Sequence, residues 1–371
     1  MPPKIQSVLG IDFPLFAFSH CRDVVAAVSK AGGFGVFGAA GVTPEELETE
    51  LAWIDAHVDG KPYGVDLLIP ENLTVRTQRG MTRGDLAASI PEAHKIFVGD
   101  LLARHGVDAD RPLADYTRDD PSRPPPYQIE TGEALMDVAF RHPIRLIANA
   151  LGVPPASMLE RAHKHGVRCA ALVGAREHAI RQVEDGVDIV VAQGTEAGGH
   201  CGEVSTLVLI PEVLRAIKGM RDVPVLAAGG IMTGRQMAAC MAMGAAGVWT
   251  GSVWLATAEA ETSPVFREKM VAARSRDTIR LKGRTGKPAR QLKSAWTEAW
   301  DGPDSPGPLP MPLQGIISEP AMHRVNRAAE AGNEQARALI GHLVGQGVGL
   351  VDSVISAREV VAAFMEEFAE A

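Results

Sequence analysis

The stretch Asp188-Ile189-Val190-Val191-Ala192-Gln193-Gly194-Thr195-Glu196-Ala197-Gly198-Gly199-His200-Cys201-Gly202 passes abruptly from an apolar, β-branched run into a polar loop rich in glycine. The run is continuous rather than alternating, as expected of a strand covered on both faces. The pattern recurs downstream at 224–228, followed by Gly229-Gly230-Ile231, and at 247–251, followed by Ser252. Upstream it recurs at 14–18, 34–37, 63–69, 144–151 and 167–173. Helical patterns separate these runs at 175–184, 207–218 and 235–243. Another opens at Thr43-Pro44-Glu45-Glu46, a capping box with proline at the first helical position. Eight apolar strands alternating with helices predict an α/β fold, a closed (β/α)8 TIM barrel. An open doubly wound sheet is the competing arrangement, because counting strands does not prove closure.

The chain has 371 residues and is 46% hydrophobic, enough for a large core. Lys+Arg 37 against Asp+Glu 45 give a formal net charge of −8, which argues against a nucleic-acid partner. No apolar run approaches the ~18 residues of a membrane span. Met1-Pro2-Pro3-Lys4 lacks the apolar core of a signal peptide, and the four cysteines are scattered without a CxxC pair. A cytoplasmic protein with reduced thiols is expected. The expected barrel comprises 1–70 and 130–275. A helical insertion over 71–129 follows the third strand, read as a lid from Leu86, Ile90, Ile96, Phe97, Leu101 and Leu102, and proline-rich across Asp119–Pro126. A C-terminal extension, 276–371, contains a linker marked by Pro303, Pro306, Pro308, Pro310 and Pro312. It ends in a helix capped by Ser356 and Glu359 whose apolar face is Val360, Val361, Phe364 and Phe368; the barrel is the expected packing partner.

A barrel carries its site at the C-terminal ends of its strands. That position selects Gln193 to Gly202, Gly229-Gly230 and Trp249-Thr250-Gly251-Ser252. Glycine turns after the last two strands suit a phosphate held by backbone N–H groups, although tight turns alone would explain one such pair. His200 is the histidine inside these clusters, and a neutral imidazole can take a proton near neutral pH. Its alternative is a structural histidine bonded to backbone. His57, His163, His165 and His178 lie in helical stretches and read as surface. His20-Cys21 with His200-Cys201 would be a conceivable metal pair, but no spacing supports it.

These residues resemble the nitronate monooxygenase family, formerly the 2-nitropropane dioxygenases, which are FMN-dependent barrels. Gln193–Gly202 is similar to the family's central motif, Ala227–Ile231 to its phosphate loop and 247–256 to its final strand. The likeness continues at 26–37, at Thr285-Gly286-Lys287-Pro288-Ala289-Arg290 and at Gly345-Gln346-Gly347-Val348-Gly349-Leu350. It implies a flavoprotein oxidoreductase in which Asp66, Gln193, Gly198, Gly199, Gly229, Gly230, Trp249, Thr250, Gly251 and Ser252 contact FMN. His200 would be the catalytic base for nitroalkanes, and O2 the oxidant of nitronates. Three departures are visible. Asp66 stands where the family usually has an asparagine, Ala17-Phe18-Ser19 replaces an Ala-Pro-Met signature, and Ser252 replaces a threonine.

Flavin enoyl reductases share the central motif, so an NAD(P)H-dependent FMN reductase of an enoyl thioester or quinone is the alternative. Ten basic residues against two acidic ones between Arg267 and Lys293 fit either a solvated face or a patch for a phosphorylated partner such as NAD(P)H. A flavin-binding protein without turnover and a non-redox barrel complete the alternatives. The partners expected are a small-molecule substrate, O2 and a second copy of the chain. Gly345–Gly349 imitates a dinucleotide fingerprint but lacks its strand context.

Overall fold

In the computed structural model, which describes residues 5–69, 81–108, 129–150 and 152–371, eight parallel strands close into a barrel. They are β1 (Leu15–Ser19), β2 (Phe34–Gly38), β3 (Tyr63–Leu67), β4 (Leu146–Asn149), β5 (Arg168–Val173), β6 (Ile189–Gln193), β8 (Val225–Ala228) and β9 (Gly247–Thr250). Closure is made by β9 on β1, with Leu15 opposite Val248 and Ala17 opposite Thr250. The open sheet is thereby excluded. Met1–Lys4, Leu151, the first part of the insertion and the Asp119–Pro126 stretch lie outside the described residues.

The continuous apolar character of the strands follows from their two covered faces. Phe16, Phe34, Val36, Leu146, Ala148, Ala170, Ile189, Val191, Leu226, Ala228 and Trp249 fill the barrel interior. Ile5 and Leu9 of the short helix Ile5–Leu9, and Ile11 just after it, join that cluster ahead of β1 and so stop the N-terminal mouth. Tyr63, Val65, Leu67, Ile147 and Ala171 face outward into a cluster that includes Leu47, Leu51 and Ile54 of the helix Pro44–His57. That helix has the expected capping box: Thr43 Oγ1 accepts from Glu46 N, and the Glu46 carboxylate accepts from Thr43 N.

The insertion contributes the helices Arg83–Ala88 and Glu92–Arg104. Ile90, Val98, Leu101 and Leu102 share a cluster with Phe266, Met270, Trp296, Trp300, Val325 and Leu339. Ile96, counted in the apolar pattern, is instead 55% exposed. The proline-marked stretch leans on this cluster, with Met311 buried and Gly307 O bonded to His94 Nε2 at 2.9 Å. The helix Ala357–Glu370 has its capping box at Ser356 and Glu359 and packs Val360, Val361 and Phe364 against Val24, Val28, Met237 and Cys240. Among the described residues no helix is long and apolar enough to cross a membrane.

A second sheet is absent from the strand pattern of the sequence. It is a three-stranded antiparallel sheet of β10 (Thr278–Leu281), β11 (Ala289–Leu292) and β7 (Gly199–His200). β7 belongs to the loop after β6, so the small sheet is joined to the C-terminal end of the barrel.

Candidate active site

β7 is two residues long and is held by a strand that lies about ninety positions later in the chain. His200 pairs with Ala289 and Gly199 with Arg290. Hydrogen bonds from the charged stretch pin the same loop. Arg290 Nε donates to Thr195 O at 2.7 Å and its Nη1 to Thr278 Oγ1 at 3.1 Å, while Arg280 Nε donates to Cys201 O at 3.2 Å. Arg284, also buried, is paired in two places with the Glu319 carboxylate. These arginines are structural ties between the hairpin and its surroundings, so the basic run is not simply a solvated face. Arg274, Arg276, Lys282 and Lys293 are the members left exposed.

The His200 ring is bonded through Nε2 to Thr285 Oγ1 at 2.8 Å. Thr285 Oγ1 also reaches Lys287 O at 3.1 Å. A hydroxyl has one proton to give, so donation to Lys287 O leaves Oγ1 to accept Nε2–H and puts the ring's lone pair on Nδ1. Burial, helped by the Lys287 ammonium, pushes the His200 pKa down to about 4. The imidazole is therefore neutral across the physiological range. A bound anion would offset Lys287 and raise the ring's basicity.

The loops after β8 and β9 supply the other half of the mouth. Gly229 takes φ +107 and Gly230 φ +73. A Cβ on Gly229 would lie 2.8 Å from Thr206 Oγ1, so positive φ and close packing both require glycine there. The N–H groups of Gly229 and Gly230 have no protein acceptor among the described residues. Gly251 faces open space. Ser252 Oγ accepts from Gly345 N at 2.8 Å and keeps its own proton to donate.

Other proposed contacts have structural duties. Gly198 is where the backbone of Val344 and Gly345 closes in, a Cβ there lying 2.7 Å from Gly345 N. The Thr250 hydroxyl donates to Phe16 O and accepts from Trp254 Nε1. Trp249 lies inside the barrel, stacked 6.0 Å from Phe16. Gln193 and Asp66 belong to the barrel's inner face by strand alternation, since Val191 on β6 is interior while Val65 and Leu67 on β3 are exterior. The Gln193 amide has no protein hydrogen bond among the described residues.

Sequence reasoning overlooked Thr285 as a partner of His200, and it overlooked His342. The latter is an exposed ring beside Phe266, ring centroids 5.3 Å apart. Thr278-Ile279 and Ala289-Arg290-Gln291-Leu292 around Gly283 and Gly286 carry a hairpin signal, masked by the surrounding charges. His20 and Cys21 do not meet His200 and Cys201 as ligands. His20 Nδ1 is bonded to Gly38 O, the Cys21 thiol to Glu259 O and the Cys201 thiol to Thr195 O. Among the described residues no three His, Cys, Asp or Glu side chains are grouped to hold a metal.

A closed parallel barrel that gathers a neutral histidine, free backbone N–H groups and an unbonded amide at its C-terminal mouth has the construction of a barrel enzyme. The nitronate monooxygenase family model matches residues 7–367, and the chain belongs to that family of oxidoreductases. A relative from Mycobacterium tuberculosis, named "Putative monooxygenase Rv1533", is 53% identical over 371 residues, covering 99% of this chain and 96% of its own. A Staphylococcus saprophyticus protein named "Probable nitronate monooxygenase" is 26% identical, with 90% and 89% covered. The crystal structure of nitroalkane oxidase from Streptomyces ansochromogenes is similar at a TM-score of 0.77 and 25% identity, over 99% and 98% of the two chains. FabK from Thermotoga maritima, at TM-score 0.69 and 24% identity over 100% and 97%, shares the fold.

Proposed function

We propose that this chain is an FMN-dependent monooxygenase of alkyl nitronates that uses O2, with His200 as the base that lets it accept neutral nitroalkanes. The observation that carries the reading is the neutral His200, fixed by β11 and Thr285 at the mouth that the β8 and β9 loops share. The residues present suit the cofactor. Gly229 and Gly230 offer unpaired N–H donors and Gly251 an open backbone, a combination that suits a phosphate. Ser252 retains a hydroxyl proton for the same group, while Gln193, Asp66 and the Gly198-Gly199 turn lie on the side left to the ring. FMN, when bound, supplies the electron transfer between the nitronate and O2.

The chain's own part is to bind, orient and move one proton. A nitroalkane must lose its α-proton before it can be oxidised, and the unprotonated His200 ring can take it. Lys287, the cation nearest that ring in effect, would then stabilise the nitronate anion. A preformed nitronate needs no such step.

Replacing His200 by Asn separates these roles. The variant should keep FMN by its absorbance spectrum and lose about 10²–10⁴-fold in kcat/KM for a nitroalkane. Propionate 3-nitronate should suffer far less; equal losses on both substrates would defeat the base assignment.

The exposed Arg274, Arg276, Lys282 and Lys293 favour a second reading, an NAD(P)H-dependent FMN reductase of an enoyl thioester or quinone. Anaerobic mixing decides between the two. Bleaching of the flavin by the nitronate, with no response to NADPH or NADH, supports the monooxygenase, and the reverse supports the reductase.

A further inference from the structure

Asp66 is a buried carboxyl with no cation beside it among the described residues. It is the penultimate residue of β3, pairing with Gly38 on one side and Ala148 on the other. Its side chain lies on the barrel's inner face, the face of Val36 and Ala148, and it is 3% exposed. Its Oδ1 has no hydrogen-bond partner among the described residues. The Ala150 N–H, already bonded to Leu67 O at 3.3 Å, only partly offsets the burial of the carboxyl.

Among the described residues the neighbouring elements offer no compensating charge. Gly38 on β2 has no side chain, Ala148 on β4 is apolar, and the Asn149 amide is bonded to Ile69. Beside Gly38 stands His20, whose Nδ1 is already bonded to Gly38 O. Among the described residues no cation contributes to the carboxyl's protonation equilibrium. An ionised carboxylate with an unpaired oxygen in such a place costs far more than a neutral acid, so the group keeps its proton. Burial raises its pKa to about 8. A neutral carboxyl is a hydrogen-bond donor, and the inner face gives that donor no acceptor; the ligand above it must supply one.

We infer that Asp66 binds the flavin ring as a neutral acid, donating its own proton to a ring acceptor atom, so that cofactor binding is lost when the carboxyl ionises. The inference rests on the FMN reading above and adds to it the protonation state of a cofactor contact.

Two measurements test it. In the infrared spectrum of the FMN-free protein at pH 6, a protonated-carboxyl C=O band should be present, absent from Asp66→Asn and lost from the wild type above about pH 8. Its absence from the wild type at pH 6 overturns the proposal. FMN titrations, followed by quenching of flavin fluorescence, should show affinity falling about 30-fold between pH 7 and pH 9.5 in the wild type, as the competent fraction shrinks. Asp66→Asn should bind equally across that range. Identical pH dependence in the two proteins overturns the role of Asp66 and leaves the FMN reading standing. Failure of the wild type to bind FMN even at pH 7 overturns the FMN reading and this inference together.

Discussion

Thr285 turns His200 from a ring on a loop into a ring with a defined tautomer. Its hydroxyl answers both to Nε2 at 2.8 Å and to the Lys287 carbonyl at 3.1 Å. Thr285→Val keeps the shape and removes that choice. One lost hydrogen bond at this position should cost about tenfold in kcat for a nitroalkane, with nitronate turnover unchanged. A parallel loss with both substrates would make Thr285 a merely structural residue. Because His200 has its pKa near 4, the acidic limb of the nitroalkane pH–kcat/KM profile should fall near pH 4, well below the ordinary histidine range. A limb near 6.5 would show that the ring is not buried in the free enzyme. His200 itself was legible in the sequence because it stands among glycines at a strand end. Thr285 was not, since nothing local announces a partner eighty-five residues away.

Elements were legible in proportion to how completely they are covered. The eight barrel strands are enclosed on both faces and read as apolar runs, and the helices Pro44–His57 and Ala357–Glu370 were announced by their capping boxes. β10 and β11 were hidden because their polar side chains Arg280 and Arg290 do their bonding against the protein, and Gln291 is buried, so that all three look like surface in the sequence. The C-terminal helix offers a test of packing at this scale. A Cβ at Gly234 would lie 2.1 Å from the Phe364 carbonyl, so Gly234→Ala must push that helix away. A loss of about 1–3 kcal/mol is expected, read as a lowered denaturant midpoint and faster proteolytic trimming of the C-terminus. Phe364→Ala, emptying a site 1% exposed, should cost about 3–5 kcal/mol. A midpoint unmoved by either change would mean that the helix contributes little to holding the barrel together.

Over the whole molecule, buried ionisable groups set opposing pH trends. His200 has a folded pKa near 4 against 6.5. The unfolded chain therefore binds more protons between those values, and stability falls as pH drops through that window. Asp66 is raised from 3.8 to about 8, so its contribution is present below pH 3.8 and is lost as pH rises to 8. Asp66→Asn should accordingly raise the Tm of the FMN-free protein at pH 8 more than at pH 4. An equal change at both would place its effect in packing.

Synthesis on the ribosome runs from one end of the chain to the other, and the order matters here. Every strand of the barrel has been made by Thr250, but the strand that grips His200 begins only at Ala289. A nascent chain can therefore close its cup, glycine turns included, while the histidine loop still swings free. His200 is set in place last, once the hairpin has emerged. A half-made copy of this protein would have the vessel before the histidine at its mouth is fixed.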